Sequence, residues 1–223
     1  SKGMTHSRIK DYQEERILFS ALNWGLGHVM RSLPVLKQLQ KQKNELFIAC
    51  DATQKKYFSD NLSNVNFIHL EGYPLKFSGN GNWGVEMLRN MPALLLHMMR
   101  ERKTVERLIK EKNISLVLSD QRFGFQSKAI RSILITHQLQ LALPWCFQSA
   151  QWWNKRLWQS FDEIWIPDSP SMQLAGDLTN GEHPEKYWIG IQSNIMKTEG
   201  SSEITFLAII SGPEPYRENL YDV

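Results

Sequence analysis

Short apolar segments alternate with amphipathic helical segments along most of the chain, and this alternation limits the folds it can adopt. The apolar runs predict strands at 16–22, 45–50, 65–70, 114–118, 132–136, 163–166 and 187–191. Helical spacing of apolar residues occupies about 29–39, 54–62, 85–112 and 144–160. The runs at 114–118 and 132–136 are apolar on both faces, which is typical of parallel strands covered by helices on each side. The sequence therefore predicts an α/β fold with a Rossmann-like, doubly wound parallel sheet.

Composition divides the chain into four segments. Residues 1–15 are expected to be a tag remnant and a disordered N-terminus, and residues 16–192 the Rossmann-like domain. The polar segment 193–203 is expected to be a linker, and the apolar run at 204–210 begins what the sequence predicts to be a second Rossmann-like domain. The remaining residues, 204–223, are too few for an α/β unit, so this second domain is expected to be truncated.

Charge and cysteine content argue against several classes of protein. The net charge of +3 comes from 26 basic and 23 acidic residues spread along the chain, which does not indicate nucleic-acid binding. Cys50 and Cys146 have no spacing typical of a zinc site or a disulfide framework, so a reducing cytosol is expected. No apolar run reaches the roughly 18 residues that a membrane-spanning helix needs.

A glycine-rich turn, Asn23 to His28 (NWGLGH), lies between the first predicted strand and the first predicted helix. Ligands of open α/β sheets bind at the carboxyl ends of strands, where glycine lets backbone N–H groups approach an anionic or polyhydroxyl ligand. Met30 stands where a dinucleotide fingerprint needs its third glycine, so NAD is not expected. Two alternatives remain open: the glycines serve only a tight turn, or His28 is a packed or capping residue rather than a base.

Polar residues also follow three other predicted strands, at Asp51, at 119–122 and at 136–138. Each could contact a ligand, cap a helix or be satisfied in the interior. Asp120 is the candidate for an alternative base or hydroxyl acceptor. The remaining candidates for substrate binding at these strand ends are Gln121, Arg122, His137 and Gln138.

The segment ILFSALNWGLGHVMRSLPVLKQL resembles the opening of GT-B glycosyltransferases related to the enzyme that adds N-acetylglucosamine to the lipid-linked peptidoglycan precursor. Its NWGLGH form, followed by Arg31, is similar to an uncharacterised bacterial branch of that group, and ITFLAIISGPEP resembles the start of the family's C-terminal domain. The resemblance implies the acceptor-side half of a glycosyltransferase, inactive alone, with Gly25, Gly27 and His28 lining the cleft between two domains. His28 is then a candidate base, and the further substrate-binding candidates are Asn23, Trp24 and Arg31.

This resemblance also implies the partners. They are a nucleotide-sugar donor, held mainly by the other half, and a sugar or lipid-linked acceptor; no nucleic acid is expected. The chain has no DxD motif, so neither a metal nor another cofactor is expected beyond the nucleotide-sugar co-substrate. A non-catalytic nucleotide- or sugar-binding module and a nucleotide-sugar epimerase remain alternatives with the same architecture.

Two apolar groups allow two interpretations each. The methionines and leucines of 85–112 either cover the sheet or contact the inner face of a membrane, with Arg89, Arg100 and Arg102 near anionic head groups. Five tryptophans either pack in the interior or form a surface that binds sugars or membrane: Trp145, Trp152, Trp153, Trp158 and Trp165.

Overall fold

The computed structural model describes residues 8–24, 26–73, 83–139, 148–169, 171, 174, 176–179 and 181–192, without the side chains of 83–88, 148–151 and 153. The strands are β1 (Arg16–Ala21), β2 (Glu45–Cys50), β3 (Asn66–His69), β4 (Leu116–Asp120), β5 (Arg131–Ile135), β6 (Glu163–Ile166) and β7 (Lys186–Trp188). The helices are α1 (Leu26–Lys41), α2 (Ala52–Asn61), α3 (Trp83–Lys112) and α4 (Gln148–Trp158), with short 3-10 turns at Arg8–Asp11 and Gly176–Thr179. All seven predicted strands are present, with boundaries that differ from the predictions by a few residues.

The described strands form one parallel sheet in the order β3-β2-β1-β4-β5-β6-β7. The chain builds outward from β1 to β3, then returns to the centre and builds the other side from β4 to β7. The direction of construction therefore reverses between β1 and β4, which is the arrangement of a doubly wound sheet. The predicted α/β, Rossmann-like fold class is confirmed.

The central strands are buried along almost their whole length because helices cover both faces. Every residue of β4 is buried, as are five of six residues in β1 and in β2. Alternate side chains of β1 enter different clusters: Ile17 and Phe19 pack beneath α1, whereas Leu18 packs beneath α3. A strand with two buried faces needs an apolar residue at nearly every position, which is why these segments lack polar alternation.

Helix α1 covers one face of the sheet through the four apolar residues predicted from its spacing, Val29, Leu33, Leu36 and Leu39. Its proline does not lie where the sequence analysis placed it. Pro34 was expected in the first turns, but α1 already begins at Leu26, so Pro34 lies in the helix interior. Burial of the apolar face outweighs the helix hydrogen bond that a proline cannot donate.

Asp51 is a helix cap rather than a ligand-facing residue. Its Oδ1 accepts a hydrogen bond of 2.8 Å from the backbone N–H of Gln54 at the start of α2. This satisfies one of the donors that a helix leaves unpaired at its N-terminus. Of the alternatives left open for Asp51, the structure therefore shows the cap.

Helix α3 divides into an interior half and a surface half. Val105 and Leu108 are buried against the sheet, whereas Leu95, Leu96 and Met99 are exposed by 37%, 55% and 63%. Packing against the sheet is confirmed for Val105 and Leu108, whereas membrane contact by the exposed half stays a prediction.

The tryptophans, like the apolar residues of α3, are divided between the interior and the surface. Trp158 and Trp165 are fully buried, while Trp152 is half exposed on α4 with the Arg156 guanidinium 4.9 Å from its ring centre. Interior packing is confirmed for the first two. Trp145 lies outside the described residues, and so does the side chain of Trp153.

The N-terminal segment differs from the expectation of disorder. Residues 8–15 are structured: Ile9 and Tyr12 enter the core beneath α1, and Arg8 and Tyr12 hydrogen-bond the buried Glu163 of β6. Arg8 and Tyr12 stabilise this segment through their hydrogen bonds to Glu163, although the sequence of the segment has no strong periodicity.

Other predicted features lie outside the described residues: most of the loop at 72–84, the linker at 193–203 and the apolar run at 204–210. Among the helices that are described, none combines the length and the apolar character needed to cross a bilayer.

Candidate active site

The glycine-rich turn and the end of β4 meet where the direction of sheet construction reverses. Ser20 pairs with Ser119 and Ala21 pairs with Asp120 in the parallel ladder between β1 and β4. Since α1 begins shortly after β1, its first turns lie beside the carboxyl end of β4. This is the crevice in which open α/β sheets bind ligands.

Three residues on one face of α1 converge on the carboxylate of Asp120. His28, Arg31 and Ser32 are spaced i, i+3 and i+4, which places them side by side on a helix. His28 Nδ1 lies 3.0 Å from Asp120 Oδ1, and the hydroxyl of Ser32 lies 2.7 Å from Oδ2. Arg31 donates to both carboxylate oxygens, through Nε to Oδ2 at 2.9 Å and through Nη2 to Oδ1.

Asp120 is ionised in this environment although it is completely buried. Burial alone would raise the pKa of Asp120, but the charge of Arg31 and the hydrogen bonds from Arg31 and His28 hold that pKa well below its usual range. Both oxygens are occupied and neither is exposed, so Asp120 is not placed to take a proton from a ligand. The structure corrects the expectation of an alternative base: Asp120 lies behind His28 and orients it.

The carboxylate determines which nitrogen of His28 carries the proton. An ionised carboxylate can only accept hydrogen bonds, so His28 Nδ1 donates and, in the neutral ring, Nε2 keeps its lone pair. His28 is 19% exposed, and no described residue hydrogen-bonds its Nε2. That nitrogen can accept a proton from a ligand hydroxyl.

His137 follows β5 and joins the same cluster through Arg31. Its Nδ1 lies 2.6 Å from Arg31 Nη1. Burial lowers the pKa of His137 to about 4, and the positive charge of Arg31 acts in the same direction. His137 is therefore neutral at physiological pH and lies close to His28, where the sequence analysis expected a ligand-binding residue.

Gly27 shows none of the constraints that would make glycine a structural necessity. A side chain added at this position would meet no atom of the described residues within 4 Å, and its backbone does not adopt the left-handed conformation that favours glycine. The space above the start of α1 is consequently open to a ligand. Of its neighbours, Asn23 accepts a hydrogen bond from the backbone of Tyr73 and Trp24 is half-buried, whereas Gly25 lies outside the described residues.

The structure does not bring Arg122 to the crevice. Its guanidinium is buried and paired with Glu101 of α3, and it also donates to the backbone oxygen of Glu71 and to Ser20 Oγ at 3.3 Å. Glu101 also accepts from the hydroxyl of Tyr73 at 3.1 Å. Arg122 is thus a structural residue that ties α3 to the loops after β3 and β4, and its expected role in substrate binding is withdrawn.

The two glutamine candidates differ in exposure. Gln121 is buried, and its backbone lies in the left-handed region at φ 56° directly after Asp120. Gln138 is exposed after β5, with its backbone N–H donated to Thr136 Oγ1 at 2.9 Å. The side chain of Gln138 is available to a ligand, whereas that of Gln121 is enclosed by protein.

Two residues of this region were missed in the sequence analysis. Ser32 shares the helical face of His28 and Arg31, and its i+4 spacing from His28 is a signal that could have identified it. Asp168 is buried just beyond the end of β6 and acts electrostatically on His137. It follows a strand as Asp120 does, so the same reasoning from strand ends could have found it.

Among the described residues, no group of three or more histidine, cysteine or acidic side chains is arranged to hold a metal ion. The cluster at the crevice instead combines one carboxylate, one guanidinium and two imidazoles. Such a cluster can move a proton and form hydrogen bonds to hydroxyl groups.

No protein-family model and no curated protein sequence matches the chain. Solved structures do match. A glycotransferase of kitacinnamycin matches with a TM-score of 0.58 and 11% identity, over 86% of this chain and 55% of that chain. A UGT2 of Phytolacca americana, complexed with UDP-2fluoro-glucose and pterostilbene, matches with a TM-score of 0.55 and 11% identity, over 79% and 54%.

The spinosyn rhamnosyltransferase SpnG, complexed with thymidine diphosphate, matches with a TM-score of 0.52 and 14% identity, over 78% of this chain and 49% of that chain. The chain therefore spans about half the length of these solved structures. At such low identity the likeness shows the fold, a Rossmann-like half of the GT-B architecture. The resemblance to the branch related to peptidoglycan synthesis stays a prediction.

Proposed function

We propose that this chain is the acceptor-side half of a glycosyltransferase, which moves a sugar from a nucleotide-sugar donor to an acceptor hydroxyl. The observation that carries this proposal is the His28–Asp120 pair at the β1/β4 crevice, with His28 Nε2 free of described partners. The fold supports it, because the matching structures are glycosyltransferases, two of them with a nucleotide or nucleotide sugar bound.

In the proposed reaction, His28 acts as the general base. Its Nε2 takes the proton of the acceptor hydroxyl as that oxygen forms the new bond to the anomeric carbon of the donor sugar. The bond from that carbon to the nucleoside diphosphate breaks, and its electron pair leaves with the phosphate oxygen. Asp120 holds the His28 ring in the productive tautomer and stabilises the imidazolium that forms.

The open space above Gly27 gives the acceptor access to His28. A side chain at residue 27 would project into this space without touching any described residue, so we expect it to obstruct a ligand and leave the fold intact. Gln138 is the exposed polar side chain at the end of β5 that we assign to the same ligand.

The test is a transfer assay on the complete protein that contains this chain, with a panel of UDP- and TDP-sugars. Replacing His28 with alanine should lower turnover by about 10²- to 10⁴-fold, because this is the usual contribution of a general base. The matched control is His183→Ala. His183 hydrogen-bonds the backbone oxygen of Phe161 and precedes β7, at the amino-terminal edge of the sheet. Its loss should leave turnover near that of the wild type.

The results of this assay test the role of His28 and distinguish a transferase from a binding module. Wild-type turnover in His28→Ala would remove His28 from the chemistry. Binding of a nucleotide sugar without turnover would favour a binding module, and the absence of both would contradict the proposal. We also propose that transfer needs no metal, so a chelator should leave the rate unchanged.

The exposed half of α3 is proposed as a contact with the inner face of a membrane. Leu95, Leu96 and Met99 are exposed, and Arg89 and Arg100 lie on the same half of the helix with exposed side chains. Apolar side chains flanked by arginine suit an anionic bilayer surface. Co-sedimentation with phosphatidylglycerol vesicles should fall in Leu96→Glu/Met99→Glu, and equal binding by the variant and the wild type would contradict the contact.

A further inference from the structure

A single guanidinium links the two imidazoles of the candidate active site. Arg31 donates through Nε and Nη2 to Asp120, which holds His28, and through Nη1 to His137 Nδ1 at 2.6 Å. The Arg31 side chain is only 16% exposed, and three of its five N–H donors are already used by these partners. This geometry leaves Arg31 little capacity to bind a substrate, which was its expected role.

The chemistry of the partners determines the proton positions on both rings. Arginine has no acceptor, so His137 Nδ1 must carry a lone pair and its proton must be on Nε2. The Asp120 carboxylate has no proton to donate, so His28 must carry its proton on Nδ1. In their neutral forms the two rings are therefore opposite tautomers, and each has its Nε2 without a described hydrogen-bond partner.

We propose that Arg31 is a positioning residue that holds His28 and His137 in these opposite tautomers, so that the crevice contains one imidazole nitrogen that accepts a proton and one that donates a hydrogen bond. The acceptor is His28 Nε2 and the donor is His137 Nε2–H. The identity of the ligand rests on the proposed function, whereas the tautomers follow from the hydrogen bonds alone.

The pair defines a class of ligand. Beside a hydroxyl that gives its proton to His28, we expect the ligand to carry a neighbouring oxygen that accepts from His137, as in a diol of a sugar ring. A molecule with one isolated hydroxyl would satisfy His28 only and leave the His137 donor unpaired, which costs binding energy in a partly buried site. Ligands with two adjacent oxygens are therefore expected to bind better than those with one.

The direct test is nitrogen NMR of this chain labelled with ¹⁵N-histidine at neutral pH. Six histidines contribute signals, and His28→Gln and His137→Gln each remove one set and so assign the two rings. We expect His28 to show its proton on Nδ1 and His137 to show its proton on Nε2, each as a single form. Once the signals are assigned, a proton on His137 Nδ1, or a mixture of tautomers for either ring in the wild-type chain, would overturn the proposal.

Arg31→Met removes the donors and tests the positioning role. His137 should then shift to a mixture of tautomers, whereas Ser32→Ala, which removes another hydrogen bond to Asp120 but none to His137, should leave it unchanged. The matched surface control is Arg107→Met, whose side chain is 65% exposed in a loose pair with Glu111. An unaltered His137 tautomer in Arg31→Met would show that Arg31 does not position it.

The ligand-facing role of His137 has a separate readout in the transfer assay. His137→Gln keeps an N–H near the position of Nε2 and should retain the acceptor KM, whereas His137→Phe should raise that KM about tenfold with a smaller change in kcat. Equal KM values in the two variants would remove His137 from the ligand contact. Absence of transfer in the wild type would contradict the proposed function, and the NMR result would still decide the tautomers.

Discussion

The buried carboxylate of Asp120 fixes the positions of the three side chains that hydrogen-bond to it. A buried carboxylate is costly by itself, and here its cost is offset by Arg31, His28 and Ser32, which occupy both oxygens. Removing the carboxylate would leave the guanidinium of Arg31 partly buried without its ion-pair partner. The side chain that orients His28 thus also contributes to stability.

The pH dependence of stability follows from His137. In the unfolded chain this histidine takes up a proton near its ordinary pKa of 6.5, whereas in the folded protein its pKa is about 4. Between these values the unfolded state binds more protons, so stability is present above pH 6.5 and is lost as the pH falls toward 4. From pH 7 to pH 5 the loss from this residue is about 2 kcal/mol.

Urea unfolding at both pH values measures this effect in the wild type and in His137→Gln. The variant should lose about 2 kcal/mol less on acidification, since Arg31, His28, Asp120 and Asp168 remain in place around the substituted residue. An equal loss in the two proteins would show that His137 titrates normally in the folded state.

At the level of the elements, α3 is attached to the strand ends by close contacts that tolerate little change. The loop after β4 passes so near α3 that a side chain at Gly124 would lie 2.7 Å from the backbone Cα of Met98 and 2.5 Å from Glu101 Oε2. A backbone atom within a helix cannot move aside easily. Glycine is required at residue 124 by packing, in contrast to Gly27.

The two glycines therefore make a matched pair of variants. Gly124→Ala should lower the free energy of unfolding by about 1–3 kcal/mol, which is the usual cost of overpacking. Gly27→Ala should leave that free energy unchanged or raise it by up to about 1 kcal/mol, because alanine is the better helix former and meets no atom of the described residues. Chemical denaturation measures both, and equal effects would contradict the packing argument.

The Glu101–Arg122 pair is the second attachment of α3. Both side chains are only 1% exposed, so Glu101→Ala leaves a buried guanidinium without its partner and should cost about 3–5 kcal/mol. The control is Glu111→Ala in the exposed pair with Arg107, where about 0–1 kcal/mol is expected. A small effect at Glu101 would mean that Arg122 finds water when its partner is removed.

On the scale of the whole molecule, the site and the N-terminal segment lie at opposite ends of the parallel strands. The site is at the carboxyl ends, and the N-terminal segment contacts the amino end of β6. Glu163 begins β6 at the edge away from the crevice and accepts hydrogen bonds from Arg8, Tyr12, Arg131 and Trp165. Burial alone would raise the pKa of Glu163, but the hydrogen bonds from Arg8, Tyr12 and Trp165 lower it. One ionised carboxylate thus holds the N-terminal segment against β5 and β6.

Glu163→Gln should lower the free energy of unfolding by about 1–3 kcal/mol, because the buried side chain of residue 163 loses the charge that strengthens its hydrogen bonds to the partly exposed Arg8 and Arg131. Hydrogen exchange at residues 8–15 should become faster in the variant, while exchange in β1 and β4 should change only with global stability. The same substitution at the exposed Glu45, which pairs with Arg16, should have little effect on either measurement.

Local pattern alone was sufficient for the elements and for part of the site. Strands such as β2 and β6 were predicted with their observed bounds, because burial on both faces requires continuous apolar residues. His28 and His137 were identified because the carboxyl ends of parallel strands share one edge. These inferences depend on periodicity and chain order, which a sequence contains directly.

Tertiary structure decided which polar groups meet and what each of them does. His28 and Asp120 are 92 residues apart, and their contact depends on the pairing of β1 with β4. Arg122 follows Asp120 by two residues, yet it turns into the interior because Glu101 of α3 offers a buried carboxylate. The role of a charged side chain is determined by the long-range partner that offsets its burial, and spacing along the chain does not specify that partner.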